Sequence, residues 1–216
     1  KAWFGDANHS EKSLFDVDIE NEIPSHDVLC GGFPCQPFSN AGKKEGMYDT
    51  RGTLFFDIQR ILVAKKPKAF ILENVKQLKS NDSGNTLRII KSVLKGDNVN
   101  IPDNLPIGKN AREALKEKLN YEISVEVLSA HEYGIPEPVP QKRERVFIVG
   151  FLKDGLEEKG LNPLSHFKWP DTRPLTKKVG SILEKGKDKK YFEEFQISEK
   201  LWKSHQLRKE RNLRAG

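Results

Sequence analysis

Residues 52–75 read GTLFFDIQRILVAKKPKAFILENV, and the reading of this stretch decides the fold. Leu54, Phe55, Ile58, Ile61 and Leu62 recur at helical spacing, which predicts a helix over Gly52–Ala64 with one apolar face. Lys-Pro-Lys interrupts it, and Ala69-Phe-Ile-Leu72 follows as a short apolar run without alternation. Such a run suits a strand covered on both faces, as in a parallel sheet. Asp27-Val-Leu-Cys30, before a Gly pair, is a second run of this kind, and Val146-Phe-Ile-Val-Gly-Phe151 is a third. Strand, helix, strand is the βαβ unit, so the expected class is α/β with a doubly wound, mostly parallel sheet. Further helices are expected over Asn85–Lys95 and Ala111–Leu119, with Gly96–Lys109 a polar loop between them. Tyr121–Ser129 alternates apolar and polar residues and reads as an added strand. Beyond Leu156 the Gly-, Pro- and Lys-rich text loses its period, so a loop-rich part is expected there.

The chain has 216 residues with 37 Lys+Arg against 31 Asp+Glu, a net charge of +6, and 36% apolar residues. No stretch approaches the roughly 18 uncharged residues of a membrane span. The opening KAWFGDANHSEKSLFD is unlike a signal peptide. These features predict a soluble, cytoplasmic protein with no membrane partner. Cys30 and Cys35 are the two cysteines, too few for a disulfide scaffold. With five scattered His they make no zinc pattern, and no metal is expected. The Asn8 and Asn81 sequons are read as chance in a cytosolic chain. Residues 1–155 hold 22 basic and 22 acidic side chains, whereas 156–216 hold 15 and 9, so the whole excess lies in the last part. That asymmetry suggests a balanced scaffold over 1–155 and a surface over 156–216 that meets a polyanion, most commonly nucleic acid. A solvated Lys-rich face is the blander account of the same charges.

In an open α/β sheet the working site lies beyond the carboxyl ends of the strands. The first run leads into Gly31-Gly-Phe-Pro-Cys-Gln-Pro-Phe-Ser39, where Pro34 and Pro37 hold Cys35 in a stiff turn. Cys35 is a candidate nucleophile if a nearby cation lowers its pKa, because the thiolate is the attacking form. Cys30, inside the strand end, reads as a small buried hydrophobe. Glu73 stands at the tip of the second run. Alone, it reads more readily as a helix-cap neighbour, but beside a Cys at the tip of an adjacent strand it becomes a candidate proton donor. Arg143 and Arg145 enter the third run at i and i+2, hence on one face. They suit recognition of carboxylate, carbonyl or phosphate oxygens, or they pair with Glu144 as edge-strand charges.

PCQPFS at 34–39, ENV at 73–75 and QKRER at 141–145, in this order, resemble the motifs of the cytosine-C5 DNA methyltransferase family. The resemblance extends through Thr50–Asp57 and Lys66–Lys76 and covers most of residues 13–152. It implies a Rossmann-like methyltransferase fold, double-stranded DNA as substrate with the target base flipped out of the helix, and S-adenosyl-L-methionine as cofactor. Carried over by position, it implies Cys35 as the nucleophile and Glu73 as the group that engages the cytosine N3 and exocyclic amine. Arg143 and Arg145 would line the base pocket. Asp18, Ile19, Pro34 and Leu54 match positions that touch S-adenosyl-L-methionine, and Gln36, Ser39 and Arg51 match positions that hold the DNA around the displaced nucleotide. Segments Leu72–Ile90 and Tyr191–Lys203 are most similar to the Dcm branch, which implies a CCWGG target and a place among restriction-modification enzymes.

The chain also departs from that pattern. No Phe-x-Gly-x-Gly motif precedes Cys35, before which there are only 34 residues, and the family's late motifs are absent. The expectation is an internal piece: a catalytic part over 1–155 without its N-terminal cofactor half, then the start of a target-recognition domain over 156–216. Such a piece would be completed by a missing segment or subunit and act as a monomer when whole. The stretch Tyr133-Gly-Ile-Pro-Glu-Pro-Val-Pro-Gln141 is longer than the family's YGIPQ turn. A tRNA cytosine-C5 methyltransferase on the same scaffold and a catalytically silent DNA-binding module are the alternatives.

Overall fold

The computed structural model describes residues 12, 14–33, 54–99, 109–134, 137–156, 159–178, 180 and 198–214. The chain divides into two compact units, Lys1–Thr176 and Lys177–Gly216.

The first unit contains a four-stranded sheet of β1 (Val28–Gly32), β2 (Ala69–Val75), β3 (Tyr121–Ser129) and β4 (Glu144–Leu152), in the order β1-β2-β4-β3. The helices are α1 (Ile19–Glu22), α2 (Leu54–Lys65), α3 (Asn85–Lys95) and α4 (Lys109–Ala114). β1 and β2 pair in parallel, while β4 is antiparallel to both β2 and β3. Hence β1, β2 and β3 point one way and β4 alone points back, which is an α/β sheet mostly of one direction. The third apolar run, expected as a parallel strand, is therefore corrected to the reversed one. Ser129 faces Glu144 across β3 and β4, and Ala130 N–H donates to the Arg143 carbonyl at 3.3 Å, so the connection closes as a hairpin and returns the chain antiparallel. An unalternated apolar run reports burial on both faces, and a central antiparallel strand has that burial as well.

The helices α2 and α3 cover one face. Phe70 and Leu72 of β2, Val146 and Ile148 of β4, and Tyr121 and Ile123 of β3 meet Phe55, Phe56, Ile58 and Leu62 of α2 and Ile90, Val93 and Leu94 of α3, all of them buried. Burying each such side chain contributes about 1.5–3 kcal/mol before the entropy of ordering is set against it. Tyr121 crosses Phe70 edge-on at 5.0 Å between ring centres, and its hydroxyl donates to the Pro67 carbonyl at 2.7 Å. Burial pushes that phenol well above its ordinary pKa, so it stays a neutral donor. On the opposite face Phe151 packs against Phe167 and Phe167 against Trp169, whose indole N–H donates to Ser124 Oγ at 2.9 Å. These contacts lie within the first compact unit, which runs to Thr176.

Cys30 is exposed, contrary to its expected burial. The pleat of β1 points Leu29 and Gly31 toward α2 and therefore turns Cys30 to the other face. α4 ends at Ala114, short of the Leu119 expected.

The second unit carries α5 (Glu199–Arg214), a 16-residue helix where loop-rich chain was expected. Leu201, Trp202 and Leu207 are exposed, so among its described side chains α5 shows no buried stripe of the kind periodicity detects. Its Glu, Lys, Leu, Gln and Arg residues are strong helix formers, and Ser198 Oγ accepts from Leu201 N–H as an N-cap at 3.3 Å. Among the described residues no helix is long and apolar enough to cross a membrane.

Gly150 of β4 lies under Phe70: a Cβ built there would stand 2.2 Å from Phe70 Cζ. A Gly150→Ala substitution is therefore expected to lower stability by about 1–3 kcal/mol in urea unfolding, as overpacking does. An unchanged midpoint would mean that Phe70 has room to turn aside.

Candidate active site

β2 alternates strictly: Phe70, Leu72 and Asn74 are buried, while Ile71, Glu73 and Val75 are turned to the other face. Its last residues therefore present a carboxylate on one side and a carboxamide on the other. The parallel ladder with β1 ends at the pair Gly32–Glu73, and the antiparallel ladder with β4 pairs Glu73 with Phe147 and Val75 with Arg145. Arg145 is thus the diagonal neighbour of Glu73 on the same face.

That placement brings the two charges together. Arg145 Nε lies 2.8 Å from Glu73 Oε1, and Arg145 Nη1 donates to the Glu144 carbonyl at 2.9 Å. The guanidinium is held at both ends, which orients it and the carboxylate it serves. On the other flank, a Cβ built on Gly32 would lie 3.4 Å from Glu73 Oε2. The missing side chain at Gly32 leaves the carboxylate beside the backbone that leads, three residues on, to Cys35.

Asn74 faces inward and is 3% exposed. Its Nδ2 donates to the Phe33 carbonyl at 2.7 Å, and its Oδ1 accepts from Val75 N–H at 2.8 Å. Phe33 is itself buried, with its ring centre 5.5 Å from that of Phe55. Sequence reasoning passed over Asn74, although a polar residue on the inward phase of an apolar strand signals a buried hydrogen-bond partner.

Arg143 and Arg145 differ in setting. β4 begins at Glu144, so the expectation of two arginines on one face of the strand is corrected: Arg143 lies just outside it and is exposed, whereas Arg145 is within it and half-buried. The pairing of these arginines with the Glu144 carboxylate does not occur: that carboxylate takes Lys76 Nζ at 2.7 Å. The connection ahead of Arg143 is folded down, with Val139 N–H donating to the Ala130 carbonyl at 3.0 Å. Glu132 and Glu137 in this connection accept from the backbone N–H of Arg173 and the hydroxyl of Thr176 respectively, which tie a later loop to it.

Asp18 is the N-cap of α1. Its Oδ1 accepts from the N–H groups of Glu20 and Asn21 at 3.1 and 3.3 Å, and its Oδ2 accepts from Asn21 Nδ2 at 2.7 Å. These bonds, that from the Asn21 side chain first, hold its carboxyl below the usual pKa. Ile19 is buried beside it. Lys65 Nζ donates to the Glu20 carbonyl at 2.9 Å, which ties the α1 turn to the C-terminal end of α2. Leu54, the third described cofactor candidate, opens the opposite end of α2. Pro34, Cys35, Gln36, Ser39 and Arg51 lie outside the described residues.

The Lys76 ammonium holds the Glu144 carboxyl below its ordinary pKa. A carboxyl with a depressed folded pKa adds stability above the ordinary carboxylate range and loses it as pH falls through the depressed value. In a Lys76→Met variant the Glu144 carboxyl is expected to titrate at higher pH, read by carbon NMR of the side chain. An unmoved titration would mean that the pair does not form in solution.

A family model described as C-5 cytosine-specific DNA methylase matches residues 3–101 and 102–216. The type II methyltransferase M1.ScrFI of Lactococcus lactis subsp. cremoris is 43% identical over 216 residues, 100% of this chain and 46% of its own length. The type II methyltransferase M.NlaX of Neisseria lactamica is 45% identical over 214 residues, 97% of this chain and 56% of that protein. M.SsoII of Shigella sonnei, also a type II methyltransferase, is 43% identical over 197 residues, 91% of this chain and 43% of that protein. The chain therefore spans about half the length of the curated relatives it matches. With a model match running over nearly every residue, the chain belongs to the C-5 cytosine-specific DNA methylase family.

Proposed function

We propose that this chain is the catalytic core of a DNA cytosine-5 methyltransferase, working with Cys35, Glu73, Arg143 and Arg145 on a cytosine flipped out of duplex DNA. The observation that carries this reading is the Glu73 carboxylate, clamped by Arg145 at 2.8 Å and lying against Gly32. Cys35 follows Gly32 by three positions, so their Cα atoms are at most about 11 Å apart whatever path the chain takes. That reach allows a nucleophile and an acid to work from one strand end.

Cytosine C5 is a weak nucleophile. Addition of the Cys35 thiolate to C6 makes C5 resemble an enamine carbon, and Glu73, by protonating or hydrogen-bonding N3, drains the charge that opposes this addition. Arg145 holds the Glu73 carboxylate in place, and the exposed Arg143 suits stabilisation of negative charge that develops on the pyrimidine. Loss of the C5 proton and departure of Cys35 restore the ring. When bound, S-adenosyl-L-methionine supplies an electrophilic methyl group on a sulfonium. The described residues fit it in chemistry: the exposed Asp18 carboxylate accepts three hydrogen bonds and has about four lone-pair sites, so it can take an amine, while Leu54 offers apolar contact and the buried Ile19 backs the Asp18 turn. Pro34 completes the cofactor set, and Gln36, Ser39 and Arg51 hold the DNA.

The functional division follows the charge, with the catalytic part over 1–155 and the target-recognition part opening over 156–216, where the basic excess lies. A complementary segment or subunit, a monomeric whole enzyme, cytoplasmic placement and a CCWGG-type target complete the proposal.

The test is covalent trapping on DNA bearing 5-fluorocytosine, whose fluorine cannot leave C5 as a proton does. The full-length protein with S-adenosyl-L-methionine is expected to form a stable adduct, Cys35→Ser none, and Glu73→Gln an adduct about 10²–10⁴-fold more slowly. An adduct on tRNA alone would move the substrate class, and none on either nucleic acid would favour a silent binding module.

A further inference from the structure

We infer that Asn74 is a positioning residue, whose carboxamide holds the Phe33 carbonyl beyond the last backbone pair of β1 and β2 and so fixes, relative to Glu73, the point from which the chain leaves toward Cys35. The inference rests on the function proposed above.

The last backbone pair between the two strands is Gly32–Glu73. Two residues later in the sequence stands Pro34, which has no N–H to donate to a ladder. Pro34 also biases Phe33 toward extended backbone. The Phe33 carbonyl is buried, and a buried carbonyl needs a donor. Asn74 supplies one at 2.7 Å. The orientation of its carboxamide is set by the second bond, in which Oδ1 accepts from Val75 N–H at 2.8 Å, so the nitrogen is the atom turned to Phe33. Aspartate, with the same shape, would keep the Val75 bond and put oxygen against oxygen at Phe33.

The arrangement links the two candidate chemical groups through one residue. The backbone of Asn74 carries Glu73 immediately before it, and the side chain of Asn74 grips the residue two positions before Cys35. The Phe33 ring, packed against Phe55, fixes the same point from the α2 side. Both attachments are buried, so neither group is available to DNA, and loss of the Asn74 donor is expected to disturb the attack step and spare DNA binding.

The full-length enzyme and its Asn74→Asp variant are compared in single-turnover adduct formation on 5-fluorocytosine DNA with S-adenosyl-L-methionine, alongside DNA affinity and melting temperature. The adduct rate, read well below both melting temperatures, is expected to fall about 100-fold, as misplacement of a reacting group does, with DNA affinity retained; the melting temperature falls, because the variant buries a carboxyl against the Phe33 carbonyl. If Asn74→Asp does not fold, Asn74→Ala, which removes the donor without adding an opposing oxygen, carries the same comparison. A variant that traps DNA as fast as the parent overturns the inference alone, and so does a loss of rate matched by an equal loss of DNA affinity. A parent that traps neither DNA nor tRNA overturns the proposed function and this inference with it. A parent that traps tRNA alone overturns the DNA assignment; on tRNA a variant slowed about 100-fold then supports the positioning role, and a variant as fast as the parent overturns it.

Discussion

A strand serves a core and a site at once because its side chains alternate, and β2 is built on that constraint. Phe70 and Leu72 enter the packed layer beneath α2 and α3, while Glu73 stands on the opposite face. The strand lies between β1 and β4, so its carboxyl end is flanked on one side by the chain leading to Cys35 and on the other by Arg145. A slip of one residue in either register would exchange Glu73 with Asn74 and place a charge in the core. The buried aromatic and aliphatic residues around Phe55, Phe70 and Tyr121 resist such a slip, and in that sense the core holds the site together.

Four charges at the mouth of the sheet sort into two pairs. Glu73 takes Arg145 and Glu144 takes Lys76, although Glu144 and Arg145 are adjacent in sequence. Adjacent residues of a strand point to opposite faces, so neighbours in the chain are not partners in space. Pairs this exposed contribute little to stability; their effect is orientation. With Glu144 satisfied by Lys76, the Arg145 guanidinium is free of that rival carboxylate and serves Glu73. Arg143, just outside the strand, keeps its exposed position at the rim.

Local pattern is legible where local forces decide. The bounds of α3 and β3 agree with those read from periodicity, because amphipathic helices and alternating strands write their geometry into residue spacing. The direction of β4 is not legible, since an apolar run encodes burial and the hairpin after β3 decides the sense of travel. α5 is hidden from periodicity because helix propensity without a buried stripe leaves no period to detect. Cys30 departs from expectation for a related reason: its apolar neighbours mark a strand, but the phase of the pleat relative to α2 decides which face is covered.

The candidate groups themselves are present in the text of the sequence as PCQPFS, ENV and QKRER, because the chemistry of a thiol, a carboxylate and two guanidinium groups requires those residue types. Sequence by itself therefore determined the α/β class, the βαβ unit and which side chains could react. Tertiary structure decided that Glu73 meets Arg145 and not Arg143, that Glu144 is taken by Lys76, and that Asn74 reaches across to Phe33. Those partners are separated by some 40 to 70 positions in the chain, and contacts at that range arise from strand order and register, which no local spacing of residues encodes.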